Sequence, residues 1–191
     1  MKIYKVNADF KHYGSCRVDY DACALEHSFG EHELLINFDG TPKADGWWPR
    51  IMVSNNDGPI GTYVDKLSAD VIIMEQQGIR KLEHLFGPME VLPLQCNFGD
   101  YWAINLLTVL DCVDYEKSKF KCFRSTPVVN GRPHILKFEE LVFLPEKIRG
   151  HHVFKIIDKP KSMILVDDVF VQAVKDNHIT GFKFDFVWEV E

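Results

Sequence analysis

Residues Phe182-Lys-Phe-Asp-Phe-Val-Trp188 place Phe182, Phe184, Phe186 and Trp188 on one parity and Lys183 and Asp185 on the other. Successive side chains of a strand point to opposite faces, so this run reads as a β-strand with one apolar face. A face of that kind has to be buried against a second layer, which commits the chain to a sheet-containing fold.

The residues before it supply such a layer. Gly181 is a release point, and residues 168 to 177 place Val169, Phe170, Ala173 and Val174 on one helical face, with Gln172, Lys175 and Asp176 left for solvent. Asp167 is a natural N-cap and Asp168 adds negative charge to the first turn. His178 sits at the far end, where a cation complements the helix dipole. The two aspartates and the histidine are also residue types of acid-base and metal chemistry, but capping accounts for them with fewer assumptions. Ahead of them, Met163-Ile-Leu-Val166 is an apolar run.

Residues 71 to 94 follow a similar plan. ADVIIM at 69 to 74 reads as a buried strand or a first helical turn, and EQQGIRKLEHLF at 75 to 86 as a helix with Ile79, Leu82, Leu85 and Phe86 at helical spacing. Gly87-Pro88 stops it. MEVLPLQC and DYWAINLLTVLDCVD then read as strands joined by a turn at Asn97 to Asp100, and Pro93 argues for an edge or bulged strand. The two units hardly match position by position, so they share a plan without forming a sequence repeat. Further strands are expected at KIYKV (2 to 6), HILKFEELVFL (134 to 144, strand or short helix) and HVFKII (152 to 157). The expected fold class is α+β: a mixed or antiparallel sheet with a few short helices and strand-helix-strand units near 70–95 and 163–188.

Residues 39 to 66 are rich in Gly, Pro, Asn and Asp, which punctuate structure, so at most one strand is expected there, near RIMVS. This suggests residues 1–66 as an irregular, acidic N-terminal region and 67–191 as the α+β core region, within one compact domain; 191 residues suffice for a real core. Net charge is -6, and the part up to Gln95, with 9 basic against 14 acidic residues, carries -5 of it. An acidic surface repels phosphate backbones, which argues against nucleic acid and favours a basic protein partner. Five scattered cysteines, at 16, 23, 96, 112 and 122, suit reduced thiols. MKIYKVNADFKHYG has no apolar run of the secretory kind, and no segment approaches the roughly 20 apolar residues that span a bilayer, so a cytoplasmic location without membrane association is expected.

The search for chemistry yields little. Gly58-Pro-Ile-Gly61 lacks the Lys-Ser/Thr tail of a phosphate loop. His27-Ser-Phe-Gly-Glu31-His32 is one residue too long for an inverted zinc-protease helix and is interrupted by Gly30. His151 and His152 are neighbours on an expected strand and would point apart. Asp111 and Asp114 stand where an apolar strand gives way to polar KSKFK, a normal place for turn residues. No catalytic, cofactor or metal site is therefore expected. Trp47-Trp48 in ADGWWPR differs in kind: either the pair folds under its loop as a satellite core, or it offers aromatic anchors to a partner.

LPLQC, a turn, YWAINLLTVLDCVDYEKSKF, HHVFKI and ILVDDVFVQAVKDNHITGFKFDFV together resemble a family of bacterial immunity proteins from polymorphic-toxin systems. The family's Tyr-x-x-x-Asn strand leading to Asp-x-x-Asp is met by Tyr101, Asn105, Asp111 and Asp114. Its closing elements are met by Phe154, Lys155, Thr180, Gly181, Phe182 and Phe184. GTPKADGWWP and the 66 to 87 unit fit more loosely, and residues 7 to 40 match little. The resemblance implies a non-enzymatic protein that binds and neutralises a cognate toxin or secreted effector, encoded by an adjacent gene, and so protects the producing cell.

Two readings follow. In the first, an immunity protein presents Asp45, Trp47, Trp48, Asp57 and Asp65 to its toxin, because loops carry function and this one combines acid with large aromatics. In the second, a small hydrolase or metal-dependent enzyme assembles some of His27, His32, Cys112 and Asp114.

Overall fold

The computed structural model describes residues 1–27, 37–54, 58–64, 71–129 and 131–190. Strands are numbered along the chain and fall into two mixed sheets. The first sheet is built from β1 (Lys2–Ala8), β8 (Val109–Leu110), β13 (Val153–Ile156), β14 (Leu165–Asp167) and β15 (Phe182–Glu189), in the order β15-β1-β14-β13-β8. The second contains β2 (Cys16–Val18), β3 (Arg50–Ser54), β4 (Tyr63–Val64), β5 (Ile72–Glu75), β6 (Met89–Cys96) and β7 (Tyr101–Leu106), in the order β2-β3-β6-β7-β5-β4. Two ribbons, β9 (Lys119–Cys122) with β12 (Ile135–Glu140) and β10 (Val128–Val129) with β11 (Arg132–Pro133), stand apart. Among the described residues the helices are α1 (Tyr20–His27), α2 (Gln76–Phe86), α3 (Pro145–Ile148) and α4 (Asp168–Asp176). The fold is α+β.

The two strand-helix-strand units are built alike. In β5-α2-β6 the two strands flank β7, which runs antiparallel to both. In β14-α4-β15 the two strands flank β1, again antiparallel to both. Each unit is thus a split β-α-β with one foreign strand sewn into its middle. Asp167 caps α4 by accepting a hydrogen bond from the Phe170 amide at 2.9 Å. Glu75, at the same place before α2, makes no side-chain cap, and α2 rests instead on its buried stripe of Ile79, Leu82, Leu85 and Phe86. The helices meet through Phe86 and Phe170, edge to face at 5.6 Å.

Strand alternation then distributes the core. Ile72, Met74, Ile104 and Leu106 of the second sheet and Val6, Val153 and Val166 of the first face the two helices in one shared cluster. The opposite face of the second sheet, with Ile73, Met52, Leu92 and Ala103, packs on Phe38 and Cys23. The opposite face of the first, with Ile3, Phe154, Ile156 and Leu165, packs on Phe143 and Ile148.

Several expectations are corrected. β6 is an interior strand: its first part pairs with β7 up to Pro93 and its last part with β3 from Leu94, so the proline stands where the ladder changes partner. The aromatic alternation of β15 breaks at Val187, because the register slips between Phe186 opposite Tyr4 and Trp188 opposite Ile3. Trp188 therefore joins Phe143 on the far face, away from Phe182 and Phe184. In α4 the buried set is Phe170, Val171 and Val174, while Val169 is exposed. Besides β1 and the strand at RIMVS, residues 1–66 supply β2, α1 and β4. Two of these are strands of three and two residues, too short to leave a periodic signal.

Candidate partner-binding surface

Residues 37 to 50 form the loop that carries the expected anchors. Its first turn is closed by Asp39, whose Oδ1 accepts from the Thr41 hydroxyl at 2.7 Å and the Thr41 amide at 3.2 Å, with Lys43 Nζ at 3.5 Å. The Thr41 bonds and the lysine hold the Asp39 carboxyl down at about 2 against the opposing effect of burial. Glu90 on β6 reaches up from the sheet, and its carboxylate accepts from the amides of Lys43 at 2.7 Å and Ala44 at 3.0 Å and from Asn105 Nδ2 at 2.8 Å. Burial pushes this carboxyl up, but the bonds from Asn105 and the two amides outweigh it and leave it below its ordinary value.

Three further contacts fix the loop. Fully buried Asn105 donates to Thr41 O at 2.9 Å, and fully buried Lys155 on β13 donates to Phe38 O at 2.5 Å. Gly40, at φ +93°, lies so close to β8 that a Cβ there would stand 2.2 Å from Val109. Both sheets therefore hold one loop.

The two tryptophans take separate roles. Trp47 is half-buried, donates Nε1–H to Pro93 O at 2.9 Å, packs on Phe38 and carries the Arg50 guanidinium 4.9 Å from its ring centre. It belongs to the core. Trp48 is 54% exposed, and Asp45 is exposed in the 3-10 turn Ala44–Gly46. Asp39, Pro42, Lys43, Asp45 and Glu90 line a depression. Asp57 and Asp65 lie outside the described residues.

The residues of the enzymatic reading do not converge where they are described. Cys112 is fully buried, and burial, followed by the charges of Asp158 and Asp111, pushes its thiol up to about 12, the reverse of an activated nucleophile. Asp114 accepts from the amides of Glu116 and Lys117 and so closes a turn. His32 and the side chain of His27 lie outside the described residues. Asp111 forms a two-pronged pair with Arg132. His151 is exposed, while His152 lies 2.8 Å from the capping Asp167. Among the described residues no group of three or more His, Cys, Asp or Glu is placed to hold a metal ion.

The residues quoted for the immunity-family resemblance have a common structural task. Asn105 and Lys155 hold residues 38 to 41. Tyr101 donates to Gly61 O at 2.7 Å, Thr180 accepts from the amides of Thr62 and Tyr63, and Phe182 stacks on Tyr63 at 4.2 Å. Residues 95–188 match the Immunity protein family (Imm11). The match ends one residue before the end of the aromatic strand and begins after GTPKADGWWP and the 66 to 87 unit, so the loop with Asp45 and Trp48 lies outside it. The matched segment supplies Asn105 and Lys155 to the grip on that loop, and Glu90 and Pro93, which precede it, supply the rest. No curated protein matches the chain.

Sequence reasoning missed the grip itself. Its signal is a single polar residue inside an apolar run: Asn105 in YWAINLL and Lys155 in VFKII. A buried polar group of this kind needs a partner, and here the partners are backbone carbonyls of the loop.

Proposed function

We propose that this chain is an immunity protein that acts by binding, in the cytoplasm, and neutralises a cognate toxin or secreted effector encoded beside it. The observation that carries the reading is the Imm11 match over residues 95–188. The surface assigned to the toxin is the acidic loop with Asp45 and Trp48, with Trp47 supporting it from beneath; Asp57 and Asp65 are assigned to the same surface from the sequence alone. An exposed tryptophan beside a carboxylate, on a loop held by two sheets, is a preorganised anchor for a basic partner. The negative charge concentrated before residue 96 steers such a partner in.

Co-expression with the product of the adjacent gene tests the reading. The expected result is rescue of growth and a complex that survives purification. A neighbour that is neither toxic nor bound overturns it. Within such a complex, Trp48→Ala is expected to weaken binding by about tenfold or more with the melting temperature unchanged, as for a typical hot-spot residue.

A further inference from the structure

The two large sheets have four outer strands. Three of them, β8, β2 and β4, are two, three and two residues long. The fourth, β15, runs for eight residues without Pro or Gly and pairs on one side with β1. The bulge at Val187 leaves Phe182 to Phe186 as its regular part, and among the described residues no strand pairs with its outer side. An edge of this kind is a template for another strand, and proteins ordinarily blunt such edges.

Its polar groups can be assigned. The Asp9 amide donates to Gly181 O, so the backbone groups of Gly181 face β1. Backbone groups alternate along a strand, which turns those of Phe182, Phe184 and Phe186 outward and those of Lys183 and Asp185 toward β1. Around Phe184 the sequence Phe-Lys-Phe-Asp-Phe is palindromic in shape and complementary in charge. An antiparallel copy placed with Phe184 opposite itself sets Phe182 opposite Phe186 and Lys183 opposite Asp185. The three aromatic pairs are then the hydrogen-bonded ones. The two Lys–Asp pairs are the non-bonded ones, where side chains come closest, with Cα atoms roughly 4.5 Å apart. Within one chain Lys183 and Asp185 sit 3.2 Å apart with half or more of each side chain exposed, and Phe186 is 59% exposed against Tyr4. Asp185 also accepts from Asn7 Nδ2 at 2.7 Å through its other oxygen, so a second strand would compete with Lys183 for Oδ1 only.

We propose that β15 is the interface of a two-fold dimer of this chain, in which Phe184 pairs with the partner's Phe184 and Lys183 with the partner's Asp185. The pairing joins two five-stranded sheets into one continuous sheet and covers the long open edge seen among the described residues.

Sedimentation equilibrium of the full chain over a wide concentration range tests this, with the expected mass rising toward twice 22.1 kDa. Lys183→Asp sets carboxylates opposite each other and Asp185→Lys sets ammonium groups opposite each other. The symmetry applies each change twice, so each single variant is expected to weaken the dimer by about tenfold or more. The double variant K183D/D185K restores complementarity and is expected to restore the dimer, which separates loss of pairing from loss of folding. Amides of Phe182, Phe184 and Phe186 are expected to exchange more slowly at high concentration. A chain that stays monomeric at every concentration, or a dimer indifferent to both single substitutions, overturns the proposal.

Discussion

Single residues in this protein act mainly as fasteners. Asp167 caps α4 through Phe170 and lies against His152, so Asp167→Ala is expected to cost about 1 kcal/mol in chemical denaturation while leaving the proposed partner binding intact. Gly181 is a stricter case: at φ +92°, a Cβ there would stand 2.1 Å from the Tyr63 carbonyl oxygen. Gly181→Ala must distort the crossing where Thr180 and Tyr63 hydrogen-bond, and the expected loss is about 3 kcal/mol or more, read in the same denaturation experiment. Cys112, with its thiol raised to about 12 by burial, is expected to resist alkylation at neutral pH in the folded protein and to react once unfolded.

At the level of elements, the loop from residue 37 to 50 is held chiefly by carboxylates. The Asp39 carboxyl ordinarily titrates near 3.8 and falls to about 2 when folded. A lowered value means the stabilisation is complete above 3.8 and is lost as pH falls toward 2. Trp47 packs under this loop, so its fluorescence is expected to change across that acid window, and Asp39→Ala is expected to remove that part of the change. The elements themselves were legible where period and punctuation agreed. α2 ends at the Gly87-Pro88 stop, the hairpin turns at Asn97 to Asp100, and α4 starts at its aspartate cap, because each rests on local chemistry. What was not legible depends on partners distant in sequence. The bulge that turns Trp188 over follows from its pairing with Ile3, and the partner change at Pro93 follows from two neighbouring strands. The candidate surface is legible by half: exposed acid and aromatic residues draw attention in any loop, but Trp48 is exposed and Trp47 half-buried because Pro93 and Phe38 take the latter.

On the scale of the molecule, the Imm11 segment is not structurally self-sufficient. It supplies β7 but neither of its neighbours β5 and β6, and it supplies β14 and β15 but not β1 between them. A fragment of residues 95–188 is therefore expected to show no cooperative thermal transition, whereas the full chain does. β1 also pairs with β15, more than 170 residues further on. On a ribosome adding roughly 5–20 residues per second, β1 waits on the order of ten to thirty seconds before β15 emerges to meet it. Until then one sheet lacks its longest ladder, and the fastening of Tyr63 to Thr180 cannot form. Any activity that needs the closed sheet lags synthesis by at least the time taken to reach β15, and a nonsense mutation as late as Gly181 removes the strand on which β1 depends.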